Sequence, residues 1–155
     1  MSAPDKPTFG TPIPGAHYQK RPGCYALITR GYLLAVVRVR GGGYDLPGGG
    51  AELGESKGET LAREVREEIG HQIVVQAELG TGIAYVESKG EGYFEKICTF
   101  YHCHLVDGPP VASEEDHILE WVSVAQVMRE TNPTIIHYWA LTRLAERLNI
   151  PHGPS

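Results

Sequence analysis

The segment from Gly49 to His71 reads G-G-A-E-L-G-E-S-K-G-E-T-L-A-R-E-V-R-E-E-I-G-H, a glycine-rich turn running directly into a helix-forming stretch. Ser56 followed by Glu59 is a capping box, and Gly70 is a C-cap glycine, so the pattern predicts a helix over 57–69. Helical residues advance about 100° each, which gathers Glu64, Glu67 and Glu68 into an arc of roughly 100°. Leu61, Ala62, Val65 and Ile69 fill an adjacent arc that can pack on a core. Like charges spaced i to i+4 destabilise a bare helix by a few tenths of a kcal/mol, and a divalent cation removes that repulsion. Hard cations such as Mg²⁺ or Mn²⁺ take oxygen ligands and are shared between carboxylates and substrate phosphates. The alternative for such a glutamate cluster is a solvated helix face paired locally with Arg63 and Arg66.

The spacing across the whole segment favours the first reading. Gly49, five residues, Glu55, seven residues, Arg63-Glu64, the aliphatic Val65, one residue, Glu67-Glu68, one residue and Gly70 together resemble the signature of the Nudix hydrolases. His71 stands where that signature ends on an aliphatic residue, and this departure lies outside the carboxylate set. The resemblance covers residues 49–71, with the lead-in Leu46-Pro47-Gly48-Gly49 before it. It implies an α/β fold, an α/β/α sandwich with a mixed sheet. It also implies metal-dependent hydrolysis of the pyrophosphate linkage in a nucleoside diphosphate derivative, namely a nucleoside triphosphate, a nucleotide sugar or a dinucleoside polyphosphate. Mg²⁺ or Mn²⁺ would be held by Glu64, Glu67, Glu68 and the Gly48 carbonyl. Gly49, Glu55, Arg63 and Gly70 would support the motif, with an Arg63–Glu55 ion pair holding loop to helix. The carboxylate that takes the proton from water lies in such enzymes either on this helix, as Glu67 or Glu64, or on a later loop, as Glu114 or Glu115. Glu52 is a further candidate. A non-catalytic nucleotide or nucleotide-sugar sensor on the same fold is the competing reading, although such sensors often lose the glutamates retained here.

The rest of the chain bounds these readings. At 155 residues and 41% hydrophobic, it can bury one substantial core. A net charge of −5 argues against stable binding to a nucleic-acid backbone, which needs a basic face. The chain has no apolar run of membrane-spanning length and no signal-peptide pattern, so the expectation is a cytoplasmic protein without a membrane partner. Cys24, Cys98 and Cys103 are odd in number and unpaired by motif, and read as reduced thiols. The expected partner is a small molecule, and a homodimer stays open.

Proline and glycine mark residues 1–22 as an irregular arm that could end in a short strand near His17–Lys20, with residues 23–150 as a single domain and 151–155 as a disordered tail. Strands are expected at Cys24–Thr29, Leu33–Arg40, Gln72–Glu87, Tyr93–Val106 and Leu119–Ser123, with a bend or bulge near Gly80 and Gly82. Helices are expected at Val124–Glu130 and Thr134–Leu148. For substrate contacts, Arg38 and Arg40 share one strand face and could meet phosphate. Tyr44, Tyr85, Phe94 and Tyr101 could stack on a base, although strand aromatics more often serve the core. His102, His104 and His117 form a sparse trio with no further ligand pattern to make a transition-metal site.

Overall fold

The computed structural model describes residues 6–111 and 119–152. In chain order these form β1 (Thr8–Phe9), β2 (Tyr18–Arg30), β3 (Leu33–Arg38), β4 (Tyr44–Asp45), β5 (Gly48–Gly50), α1 (Lys57–Ile69), β6 (Ile73–Ser88), β7 (Gly92–Leu105), β8 (Leu119–Ser123), α2 (Val124–Glu130) and α3 (Ile136–Arg147). The sheet is mixed. Its order is β1-β6-β7-β2-β3-β4, with β5 added antiparallel to β2 and β8 antiparallel to β3. β2 pairs parallel with β7, and β6 pairs antiparallel with β7.

β2 lies at the centre because its sequence is apolar on both faces. Ala26, Leu27 and Ile28 are all fully buried, the pattern of a strand covered on both sides. Alternation divides the core between the faces. Leu27, Phe100 and Cys98 join the residues under α2 and α3, among them Val127, Ala140, Leu141 and Leu144. Ala26, Ile28, Val37 and Cys103 meet Leu61, Val65 and Ile69 of α1 on the other side. Helices therefore cover both faces, giving an α/β/α sandwich. Each of Leu61, Val65 and Ile69 contributes roughly 1.5–3 kcal/mol by leaving water.

The ends of α1 follow the expected residues. Ser56 Oγ accepts from Glu59 N at 3.2 Å, Glu59 Oε1 accepts from Ser56 N at 3.0 Å, and Gly70 closes the helix at φ 70°. Other boundaries move for local reasons. Asn132 Oδ1 accepts from both the backbone and the hydroxyl of Thr134, at 2.9 and 2.7 Å, which holds Pro133-Thr134 in a turn and delays α3 to Ile136. Residues 1–22, expected as an irregular arm with a short strand near His17–Lys20, carry a further strand at Thr8–Phe9. Thr8–Phe9 pairs parallel with Ile83–Ala84, and β2 already begins at Tyr18 against Tyr93. Val39 to Gly43 form a tight return, with Gly41, Gly42 and Gly43 all at positive φ, that lays β4 back on β3.

β6 has register shifts between Val75 and Ala77 and between Glu78 and Gly80. The second falls where glycine was expected to mark a bulge. Gly80 has φ 136°, and a Cβ there would lie 2.9 Å from the Trp139 ring of α3. Among the described residues no helix is long and apolar enough to cross a membrane. The three cysteines are buried free thiols. His102 is buried, with Nδ1 accepting from Arg147 Nε at 3.0 Å, so Nε2 carries the proton and donates to Thr29 Oγ1 at 2.7 Å. Burial, with the His104 and Arg147 charges, pushes His102 down to about 4, and both its nitrogens are committed to structure. His117 lies outside the described residues.

Gly80→Ala should cost about 1–3 kcal/mol, through strained backbone and overpacking against Trp139. The urea midpoint should fall with an unchanged m-value. A wild-type midpoint would show that α3 does not depend on this close approach.

Candidate active site

The site grows from the contact between β5 and α1. β5 is three glycines pressed against β2, with Gly48, Gly49 and Gly50 in register with Tyr25, Cys24 and Gly23. A side chain at Gly48 would collide with β2 backbone, and one at Gly49 would displace the end of the Glu64 side chain. A Cβ on Gly48 would lie 2.6 Å from Tyr25 Cα, and one on Gly49 would lie 2.6 Å from the Glu64 carboxylate carbon. The absence of side chains thus brings the α1 carboxylates onto loop backbone. Glu64 lies against Gly49, and Glu68 Oε1 accepts from Gly48 N at 3.3 Å.

Arg63 organises the remaining charges. Its Nε and Nη2 donate to the two Glu55 oxygens at 2.6 and 2.9 Å, a two-point pairing that fixes orientation as well as charge. Nη2 also donates to the Gly50 carbonyl at 2.9 Å. Nη1 donates to Glu64 at 2.9 Å and to Glu67 at 3.3 Å, and lies 3.7 Å from Glu52. Glu55 in turn accepts from Glu52 N at 2.7 Å and from the Thr60 hydroxyl at 3.0 Å. Loop and helix are therefore clamped at both ends of one guanidinium. Glu67 is the most open of the three helix glutamates, about half exposed.

The donor set is chemically suited to a hard divalent cation. Glu64, Glu67, Glu68 and the loop carbonyls are all oxygen donors, and the Gly49 position leaves the Glu64 carboxylate at the backbone where a Cβ would stand. Among the described residues, however, no three acidic, histidine or cysteine side chains are gathered tightly enough to form a ready-made cation cluster. Glu114, Glu115 and Asp116 lie outside the described residues. His71 sits just past the C-cap in a hollow with Arg66, Gly70 and Val111, apart from the glutamates.

A cleft of about 400 Å³ opens beside Gly48 and Glu68. Leu46, Ala84, Val86, Cys98, Ile135 and Ile136 supply its apolar wall, while Tyr25, Asp45, Lys96 and His137 supply polar groups. Tyr25 stacks on Phe100 at 5.4 Å, and the His137 ring lies 5.7 Å from Tyr25. Burial lowers the His137 pKa, against the pull of Asp45, whose Oδ1 is 3.9 Å from Nδ1. Burial also raises Tyr25 and pushes the Cys98 thiol up to about 11.

None of the six residues expected to touch substrate lines this cleft. Arg38 pairs with Glu120 of β8 at 2.8 Å and lies over the Tyr44 ring at 5.1 Å. Tyr44 bonds to Glu130, and Arg40 is exposed beyond the end of β3. Tyr85 alternates away from Ala84 and Val86, towards Glu95 and Tyr18. Phe94 is buried under Arg21, and Tyr101 packs against the core beneath α1. Sequence reasoning passed over Lys96, His137, Tyr25 and Asp45. For Lys96 a signal existed: it alternates with Cys98 and Phe100 on one strand face.

Hydrogen bonding from Arg63, first, and from the Glu52 backbone holds the Glu55 carboxyl down to about 2. Its folded pKa is depressed, so the stability it contributes is present above its ordinary value of 4.5 and is lost as pH falls through about 2. Glu55→Gln should therefore have a lower denaturant midpoint than wild type at pH 6, with the gap narrowing below pH 4.5 and closing near pH 2. A gap that stays constant with pH would contradict the pairing.

Comparison with known proteins agrees with this architecture. The NUDIX domain matches residues 18–141. No curated protein matches significantly by sequence. Among solved structures, the chain is similar to a NUDIX hydrolase from Nitrosomonas europaea, with TM-score 0.63, 19% identity and 88% of this chain and 98% of that one covered. It is similar to a MutT protein from Methanosarcina mazei, with TM-score 0.58, 24% identity and 95% and 96% covered. An ADP-ribose pyrophosphatase from Streptococcus suis gives TM-score 0.54 and 20% identity, with 82% and 92% covered. At these identities the structures speak for the fold, while the domain match extends over most of the chain: this protein belongs to the NUDIX domain family.

Proposed function

We propose that this protein is a Nudix pyrophosphohydrolase, which uses Mg²⁺ or Mn²⁺ to cleave the pyrophosphate linkage of a nucleoside diphosphate derivative. The observation that carries the reading is the approach of Glu64 and Glu68 to the Gly48-Gly49 backbone, at the mouth of a cleft of about 400 Å³. That volume is within the usual range for small-molecule sites. Glu64, Glu67, Glu68 and the Gly48 carbonyl would hold the cation. The cation supplies neutralisation of diphosphate charge and a lowered pKa for attacking water.

The chain's own groups do the rest. Arg63 and Glu55 position the carboxylates, and a shift of about 1 Å there can cost on the order of 10²-fold in rate. One carboxylate must accept a proton from water, a contribution of about 10²–10⁴-fold. Glu67 and Glu64 are the candidates on α1, and Glu114 and Glu115 are those later in the chain. The apolar wall and Tyr25 receive the group attached to the diphosphate. An ADP-ribose pyrophosphatase and a UDP-X diphosphatase among the similar structures fit a substrate with a linked group.

Phosphate release from nucleoside triphosphates, nucleotide sugars and dinucleoside polyphosphates should require Mg²⁺ or Mn²⁺ and stop with EDTA. Glu68→Gln should lower kcat by at least about 10²-fold while the protein stays folded. Tight binding of a nucleotide with no turnover of any diphosphate would instead make the chain a sensor. Comparing Glu67→Gln with Glu115→Gln locates the base: its loss should flatten the acidic limb of the kcat profile, whereas loss of a positioning carboxylate should leave the profile's shape intact.

A further inference from the structure

Lys96 is a charged group in the cleft that the proposed chemistry does not use. It sits on β7, half-buried, and lines the same cleft as Gly48 and Glu68. Among the described residues it has no ion-pair or hydrogen-bond partner. Lining the cleft, its side chain is placed to meet whatever occupies it. It is also a donor only, with three N–H groups and no acceptor, so its partner must bring lone pairs.

Strand register says which part of a substrate Lys96 would meet. Gly48, Tyr25 and Phe100 lie in one row across β5, β2 and β7. Lys96 precedes Phe100 by two same-face steps, with Cys98 between them and Ala84 as its neighbour on β6. At ~3.3 Å per residue, these four residues place the Lys96 backbone roughly 13 Å along β7 from that row. Glu68 beside the Gly48 row and Lys96 farther along β7 thus line one cleft at separated positions, with Tyr25 and His137 on the Gly48 side. If the diphosphate sits at the Gly48–Glu68 end, as the proposed function holds, the far end takes the outer edge of the attached nucleoside.

We propose that Lys96 is the specificity-determining residue of this cleft, donating from its far end to the carbonyl at the purine 6 or pyrimidine 4 position of the nucleobase. Guanine O6 and uracil O4 accept such a bond, whereas the exocyclic amines of adenine and cytosine point a second donor at the ammonium. The cleft then selects keto bases, and the penalty on the others is the buried donor left unsatisfied.

The inference rests on the reading of the diphosphate end, yet it can be tested without turnover. Binding of GMP, UMP, AMP and CMP is measured calorimetrically in EDTA for wild type, Lys96→Met and Lys96→Arg, each checked by thermal melting. Wild type should bind GMP and UMP at least about tenfold more tightly than AMP and CMP, the discrimination expected of one hydrogen bond. Lys96→Met should abolish that preference, and Lys96→Arg, which like lysine can only donate, should recover part of it. In turnover with GTP and ATP, the same ratio should appear in kcat/KM and collapse in Lys96→Met. No keto preference in wild type, an unchanged preference in Lys96→Met, or equal weakening of all four mononucleotides would each overturn the assignment, the last by placing Lys96 on phosphate. Keto-selective binding without metal-dependent turnover would sink the catalytic reading and leave this one standing.

Discussion

One guanidinium holds the candidate site together. Arg63 reaches Glu55, Glu64, Glu67 and the Gly50 carbonyl from a single position in α1. It fixes the loop after β5 to the helix and balances carboxylates that would otherwise repel. Its geometry depends on the sheet. β5 can lie against β2 because residue 48 lacks a side chain, and Gly49 leaves room for the Glu64 carboxylate, so that carboxylate and the Gly50 carbonyl come within reach of one side chain. A lysine at position 63 would keep the charge and lose the forked, two-point pairing with Glu55.

The two faces of the sheet then divide the work. α1 packs on the face formed by Cys24, Ala26, Ile28 and Cys103, and presents its glutamates at the β5 edge. α3 covers the opposite face, where Tyr25, Phe100 and Cys98 alternate away from α1. The cleft opens at the boundary between these layers, so its glutamate end comes from one layer and its His137 wall from the other. The Gly80 bulge and the packing of Trp139 over it set how closely α3 approaches that boundary.

What the sequence revealed was local. The capping box at Ser56 and Glu59, the C-cap at Gly70 and the apolar stripe of α1 are decided within a few residues, and α1 begins and ends where they require. Long-range contacts were not legible in this way. Arg38 had the charge for a phosphate contact, but Glu120, 82 residues away, takes it. Tyr85 had the aromatic ring, but strand alternation between Ala84 and Val86 sets it away from the cleft. Asp45 and His137 lie 92 residues apart in sequence and meet only because β4 folds back on β3 while α3 crosses the other face. The triple glycine before Tyr44 was visible, but the pairing it makes possible depends on tertiary packing.

The central claim is that α1 and the glycine strand together hold a divalent cation at the mouth of the cleft. Anomalous diffraction from crystals of the protein grown with Mn²⁺ tests it directly. The account predicts a manganese peak bounded by Glu64, Glu68 and the Gly48 carbonyl, with Arg63 still paired to Glu55. A peak elsewhere, or none at Mn²⁺ concentrations that saturate turnover, would contradict it.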